Sequence, residues 1–234
     1  MSGLSIVTIL IIVANVLVSL KGFNDQAFFE KYKFSVGRIR YNKEYYRLLT
    51  SGFLHVDYIH LFFNMFTLYV FSQIVIAFFG SPLIVLGDYS MVDLTKGSVF
   101  YLVLYLLSVV CGNLLAYSYH KDEPYYSAVG ASGGVSGILF SSILVYPTMT
   151  LGIFFVIPMP AWVFAFIYLG YSVYGMRKGL GNIGHAAHLG GAVIGLLATL
   201  IYFPDLFTIH RFYVLIMTIP IVGLFVLMLI NKKK

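Results

Sequence analysis

The chain has 234 residues, of which 60% are hydrophobic, 18% aromatic and only 10% charged. Soluble domains carry about 25% charged residues, so this composition excludes a water-soluble domain and indicates an integral membrane protein. The single cysteine, Cys111, excludes a disulfide scaffold, and the net charge of +6 is spread over several connections, which favours contact with the lipid bilayer and not with nucleic acid.

Seven apolar runs are long enough to form membrane-spanning helices, which need roughly 20 residues. The runs are continuously apolar and lack the alternation of a transmembrane β-barrel, so we expect an all-α, polytopic membrane helix bundle. The predicted spans are, in chain order, residues 4–20, 58–79, 99–117, 126–145, 151–174, 184–203 and 212–230.

The connection between the first two spans is the longest, and long connections are often functional. It mixes aromatic and basic side chains, which is typical of a segment that lies in the membrane interface. Its seven basic residues are Lys21, Lys31, Lys33, Arg38, Arg40, Lys43 and Arg47.

Glycines are concentrated in the fourth and sixth predicted spans. Several are four residues apart, among them Gly133 and Gly137 in the fourth span and Gly191 and Gly195 in the sixth. Small residues at this spacing allow membrane helices to approach closely, so we expect these two helices to pack directly on each other.

Four polar residues in the spans are candidates for chemistry, because polar groups inside a bilayer are costly. Ser132 lies at the start of the fourth helix, where free backbone N–H groups converge. His188 shares a helix face with the glycines of the sixth span and can be carried against Ser132 to act as its base. His60 and Asn64, four residues apart in the second span, can both donate hydrogen bonds, although such a pair alone is equally typical of a structural contact.

Together with Arg47, these residues resemble the rhomboid family of intramembrane serine proteases. The resemblance is carried by Arg47, the stretch HVDYIHLFFN at 55–64, GASG at 130–133 and AHLGGAVIG at 187–195. It implies a six-helix catalytic core over residues 1–203, followed by an additional C-terminal hydrophobic helix and a basic tail over 204–234. It also implies that Arg47 anchors the first loop and that His55 packs in that loop.

By the same resemblance, Ser132 is the nucleophile and His188 the general base of a Ser–His dyad, and His60 and Asn64 form the oxyanion hole. The implied substrates are transmembrane segments of membrane proteins, cleaved without a metal or other cofactor. The implied location is the inner (cell) membrane of a bacterium. Pro158 and Pro160 interrupt the fifth span, which in the family flanks a lateral substrate entrance, so we expect this helix to act as a gate.

Three positions depart from the family pattern. The segment 71–76 lacks a Gly and a Glu that many members have there, so the structural polar contact they make must be absent or supplied elsewhere. Ser136 replaces an aromatic residue that usually stacks under the histidine, and it could hydrogen-bond to His188 instead. His185 stands where many members have Asn, and we favour a supporting hydrogen-bond role for it over a second base.

Three other functions compete with this interpretation. A catalytically inactive, client-binding relative would share the fold but typically lacks the dyad. A metalloenzyme could use the histidines, although no acidic residue accompanies them in those helices. A transporter would need buried carboxylates or repeated broken helices, which the sequence does not contain.

The orientation in the membrane is open. All Lys and Arg residues except Lys96 and Arg211 fall on the side that carries the first loop. The positive-inside rule would make that side cytoplasmic, whereas the family topology makes it the outer face. We follow the family, because a folded interfacial loop need not obey a rule derived from short tethers.

Overall fold

The computed structural model describes residues 4–153, 157–178 and 184–231. Within these residues the chain forms eleven α-helices, four short β-strands and two 3₁₀-helices. The helices are α1 (Ile6–Asn24), α2 (Gln26–Tyr32), α3 (Val36–Asn42), α4 (Arg47–Thr50), α5 (Tyr58–Gly80), α6 (Leu94–Tyr119), α7 (Ser132–Val145), α8 (Ala161–Lys178), α9 (His185–Tyr202), α10 (Leu206–Ile209) and α11 (Arg211–Asn231). The strands are β1 (Phe34–Ser35), β2 (Ser127–Ala128), β3 (Thr150–Ile153) and β4 (Ile157–Pro160), and the 3₁₀-helices are Ser51–Phe53 and Pro82–Leu86.

The predicted polytopic helix bundle is confirmed. Each predicted span coincides with one helix of 14 or more residues, and α1, α5, α6 and α9 are long and apolar enough to cross a membrane. Helix α7 is apolar but has only 14 residues. At 1.5 Å per residue it is about 21 Å long, shorter than the roughly 30 Å hydrocarbon layer, so its two ends cannot both reach the membrane surfaces.

The predicted start of the fourth span is wrong. Helix α7 begins at Ser132, and the residues before it are extended, with β2 pairing antiparallel to β1. Gly130 has φ +138° and donates its N–H to the carbonyl of Ser51 at 3.0 Å, which ends the extended segment. A residue other than glycine rarely adopts this φ, so the backbone turns sharply here and the helix can begin only afterwards.

The predicted start of the fifth span is also wrong. Before Ala161, β3 pairs antiparallel with β4, with Gly152 opposite Pro158 and Thr150 opposite Pro160. Proline lacks an N–H and forces the preceding residue out of the helical region, so the two prolines favour this two-stranded ribbon over a helix. Helix α8 then begins at Ala161, whose N–H donates to the carbonyl of Met149 at 2.8 Å.

The first loop is folded around Arg47, in agreement with its predicted anchoring role. Arg47 is only 3% exposed, and its guanidinium donates to the carbonyls of Lys33 at 2.7 Å and Glu30 at 2.9 Å. It also donates to the Glu44 carboxylate at 2.6 Å, and this bond lowers the pKa of Glu44. One side chain therefore fastens the loop segment that contains α2 to the turn that precedes α4.

Helix α7 forms the centre of the bundle, and all its residues after Ser132 are buried. A Cβ on Gly191 of α9 would collide with the carbonyl oxygen of Gly133, and one on Gly195 would collide with that of Gly137. The predicted direct packing of the fourth and sixth helices is therefore confirmed. Helix α6 joins the same contact, because a Cβ on Gly112 would lie 2.5 Å from the carbonyl oxygen of Ala187.

The C-terminal helix α11 packs against α8. The Trp162 ring of α8 contacts the rings of Phe212 and Tyr213, with centroids 5.8 and 6.3 Å apart. Pro220 lies inside α11. The predicted basic tail at 232–234 lies outside the described residues, and the predicted division at residue 204 stays a prediction.

Candidate active site

A cavity of about 840 Å³ lies between α5, α7, α8 and α9 and the loop before α7. Ser132, His188, His60 and Asn64 all line it, so the structure brings the four sequence-predicted residues together from three helices. Apolar side chains form much of the remaining wall, namely Phe29, Val56, Phe63, Val135, Leu139 and Phe164. The cavity thus combines a small polar cluster with an apolar surround, as binding sites commonly do.

Ser132 is the first residue of α7, where the helix presents unsatisfied backbone donors. The preceding residue, Ala131, has no side chain that could cap the helix. The first backbone hydrogen bond of the helix runs from the Val135 N–H to the carbonyl of Ala131. Within the described residues, the N–H groups of Ser132, Gly133 and Gly134 have no acceptor. The start of α7 therefore offers free donors and a positive helix end beside the Ser132 hydroxyl.

His60 lies directly against the turn before Ser132. A Cβ on Gly130 would lie 2.7 Å from Cε1 and 3.0 Å from Nε2 of His60, and 3.5 Å from the Ser132 hydroxyl oxygen. The missing side chain of Gly130 therefore leaves the space that lets the imidazole and the hydroxyl approach each other. This is a second reason, besides its positive φ, for glycine at this position.

Asn64 lies one turn after His60 on α5 and is 6% exposed. Its Nδ2 donates one hydrogen bond to the carbonyl of His60 at 2.9 Å, which leaves the second N–H of the amide available to the cavity. The helix start is capped by Asp57, whose carboxylate accepts the His60 N–H at 2.7 Å. These local bonds fix the Asn64 amide and the backbone of the helix start that carries His60.

His188 lies in the first turn of α9 and is partly buried. Its ring stacks on that of Tyr168 from α8, with centroids 5.8 Å apart and 22° between the planes. In the described residues, no hydrogen bond joins the imidazole to the Ser132 hydroxyl. Hydrogen bonds between catalytic groups are often long before substrate binds and shorten only in the complex.

Ser136 does not make the hydrogen bond to His188 that the sequence suggested. Its hydroxyl is 2.8 Å from the Tyr168 hydroxyl, so Tyr168 lies between the two residues. Tyr168 is not distinguished in the sequence, because α8 contains several aromatic residues and nothing in the spacing sets this one apart.

The other two histidines considered above do not line the cavity. His55 is buried, its Nδ1 is 2.8 Å from the Ser19 hydroxyl and its Nε2 accepts the N–H of Ala131 at 3.4 Å. Burial, together with the nearby His60, lowers the pKa of His55 to about 3, so this ring is neutral. His55 therefore packs the first loop against the start of α7, as predicted.

His185 is 4% exposed and lies beneath His188, with ring centroids 6.3 Å apart, and its ring also contacts that of Tyr171 at 5.3 Å. Its supporting role stays a prediction. Among the described residues, no group of three or more His, Cys, Asp or Glu side chains is placed to hold a metal ion.

Segment 71–76, which lacks the family's Gly and Glu, has a polar contact to α7. The Ser142 hydroxyl is 3.3 Å from the Phe71 carbonyl and 2.9 Å from that of Ile138. A serine hydroxyl thus joins α5 to α7 without a buried carboxylate.

The fold and the cavity define a multi-pass helical membrane protein. Its candidate site contains serine and histidine side chains near the N-terminal ends of α5, α7 and α9. The chain belongs to the rhomboid family, since the family model described as Rhomboid domain matches residues 42–205.

The chain is also similar to rhomboid-like proteins of a plant and a yeast. The chain is 31% identical over 185 residues to RHOMBOID-like protein 12, mitochondrial, of Arabidopsis thaliana, covering 79% of this chain and 54% of the relative. It is 33% identical over 173 residues to Rhomboid-like protein 16, chloroplastic, of the same plant, covering 72% and 50%. It is 28% identical over 155 residues to Rhomboid protein 1, mitochondrial, of Saccharomyces cerevisiae, covering 64% and 40%. The chain therefore spans about half or less of the length of these relatives.

Proposed function

We propose that the protein is an intramembrane serine endopeptidase that cleaves transmembrane segments of membrane proteins. Ser132 is the nucleophile, His188 the general base, and His60, Asn64 and the N–H of Ser132 stabilise the oxyanion. The observation that carries the proposal is the single cavity into which these four side chains converge from α5, α7 and α9.

The chemistry follows from the roles of these groups. The Ser132 hydroxyl attacks the scissile carbonyl carbon while its proton passes to the His188 imidazole, and the carbonyl oxygen takes up the negative charge. The donors of His60, Asn64 and the α7 start stabilise this charge. The imidazolium then protonates the leaving amine, the C–N bond breaks, and an acyl-enzyme remains. Water, deprotonated by His188, hydrolyses the ester and regenerates the hydroxyl.

Substrate access fits a lateral route between α5 and α8. Phe63 and Thr67 of α5 and Phe164 of α8 line the same cavity, so a separation of these two helices would widen it. A disulfide engineered between α5 and α8 should therefore suppress cleavage and release it on reduction. Equal activity in the oxidised and reduced forms would contradict a gating role for α8.

The test of the activity uses the purified protein in detergent with a transmembrane reporter and a fluorophosphonate label. We expect labelling at Ser132 and cleavage that falls by at least about 10³-fold in Ser132→Ala and in His188→Ala. Ser141→Ala is the matched control, because Ser141 is a buried serine of the same helix whose hydroxyl bonds Thr199 at 2.7 Å outside the cavity. Absence of both labelling and cleavage would reject the enzyme and favour a client-binding protein.

The location is also a proposal. We propose an inner (cell) membrane with the first loop on the outer face, although of the three relatives described above two are named mitochondrial and one chloroplastic. Single cysteines placed at exposed Tyr45 and at the chain end, in a Cys111→Ser background, should react with an impermeant thiol reagent from the same side. Labelling of Tyr45→Cys only after the membrane is opened would reverse the orientation.

A further inference from the structure

The His188 imidazole receives little support from its own helix. The residues three or four positions away are Gly184, Gly191 and Ala192, none of which has a side chain large enough to hold a ring. The remaining neighbour at this spacing, His185, presents its ring at 73° to that of His188 with centroids 6.3 Å apart. With only one large neighbour on its own helix, the imidazole keeps much of its rotational freedom unless another helix restricts it.

That restriction comes from α8. The Tyr168 ring lies nearly parallel to the imidazole, in the offset arrangement that aromatic rings prefer. Tyr168 is itself held on its other sides, because its hydroxyl is 2.8 Å from that of Ser136 and its ring packs against Phe140 and Phe164. The ring therefore presents a fixed surface to the face of the imidazole.

We propose that Tyr168, held in place by the Ser136 hydroxyl, is a positioning residue that orients the His188 imidazole toward Ser132. The inference rests on the proposed function, in which His188 must keep one ring nitrogen directed at the serine hydroxyl. In many hydrolases a carboxylate orients the base. Among the described lining residues the acidic side chain is Asp57, and it is bound to the His60 N–H.

The division of labour between Tyr168 and Ser136 follows from their contacts. The tyrosine ring makes the contact to His188, whereas the hydroxyl pair holds the ring by one hydrogen bond. Loss of the ring should therefore matter more than loss of the hydroxyl. Tyr168 carries no proton in the reaction, so its removal should lower kcat and leave substrate binding nearly unchanged.

Steady-state cleavage kinetics test these expectations. Tyr168→Leu should lower kcat by about 10- to 100-fold with KM within about twofold, as expected for a misdirected base. Tyr168→Phe and Ser136→Ala keep the ring and should lose no more than about fivefold. The control is Phe78→Leu, which removes a fully buried ring of α5 that does not line the cavity and should lower thermal stability without changing kcat. An unchanged kcat in Tyr168→Leu, or an equal loss in Phe78→Leu, would overturn the inference.

A second measurement does not depend on cleavage. In protein with ¹³C-labelled histidine, the His188 ring signal is assigned by its loss in His188→Ala. Tyr168→Leu should move this signal, because the ring current of the stacked tyrosine is removed, and Tyr168→Phe should leave it nearly in place. An unmoved signal in Tyr168→Leu refutes the positioning role even if the protein cleaves. A wild type that does not cleave refutes the proposed function, and the signal still decides the positioning.

Discussion

Replacing Gly191 with alanine tests whether the contact between α7 and α9 sets the geometry of the site. The added Cβ would lie 2.8 Å from the carbonyl carbon of Gly133 and 3.2 Å from its Cα, and closer still to its carbonyl oxygen. Carbon atoms pack at about 3.5–4.0 Å, so α9 must move away by about 1 Å. Gly133 follows Ser132 directly, and Gly191 lies one turn after His188, so the displacement separates the two proposed catalytic residues.

The expected magnitudes follow from this displacement. Overpacking of a tight contact costs about 1–3 kcal/mol of unfolding free energy. A misplacement of about 1 Å can lower the rate by about 10²-fold. Cleavage of the transmembrane reporter and thermal unfolding in detergent measure the two effects on the same protein, under conditions in which the variant remains folded.

The matched control is Gly170→Ala on α8, because a Cβ at Gly170 would meet nothing within 4 Å. This variant should keep wild-type activity, and its stability should be unchanged or higher by up to about 1 kcal/mol. Wild-type kcat in folded Gly191→Ala would refute the argument that this helix contact sets the distance between Ser132 and His188. Equal losses in both variants would assign the effect to the substitution type and not to the contact.

Three further predictions concern the first loop and the oxyanion donors. Arg47→Met should cost about 3 kcal/mol or more in denaturant unfolding, since the buried guanidinium loses its bonds to two loop carbonyls and to the Glu44 carboxylate, whereas Arg38→Met at the surface should stay within about 0.5 kcal/mol. The pKa of His55 is about 3 in the folded protein and 6.5 in its ordinary state. Between pH 3 and pH 6.5, therefore, the unfolded chain binds a proton at His55 that the folded protein does not. The His55 contribution to the free energy of unfolding should therefore be complete above pH 6.5 and decrease by up to about 1.4 kcal/mol per pH unit below it. Unfolding midpoints measured over a pH series should depend less steeply on pH in His55→Gln than in the wild type. His60→Ala and Asn64→Ala should each lower kcat by about 10²- to 10³-fold with little change in KM, and a loss confined to KM would contradict an oxyanion role.

The sequence predicted the helices well because continuous apolar runs have few other solutions in a bilayer. It also predicted the contact between α7 and α9, since glycines at a spacing of four leave a groove that a second helix can fill. The apolar runs alone, however, predict starts of the fourth and fifth helices that are too early. Hydrophobicity alone cannot distinguish the first residues of an apolar helix from an apolar strand, and at Gly130 and Pro158 the backbone geometry decides between them.

The sequence indicated the polar residues of the candidate site, but it did not indicate the side chain that contacts His188. Ser132, His60, Asn64 and His188 stand out because polar groups are rare in the spans. Tyr168 does not stand out, because its role depends on which face of α8 meets α9, and helix periodicity does not specify the partner of an aromatic face. Long-range contacts of this kind require the packed structure.

The absence of a buried acid explains why an aromatic ring would serve to orient the base. Among the described buried polar residues there is no Asp or Glu, and the buried charged side chain, Arg47, lies in the first loop. A carboxylate beside His188 would cost several kcal/mol in desolvation at this depth unless further donors satisfied it. The stack on Tyr168 restricts the imidazole without placing a charge in the bilayer, and the Ser136 hydroxyl satisfies the tyrosine. A neutral contact between helices can thus supply the orientation that soluble hydrolases obtain from an anion.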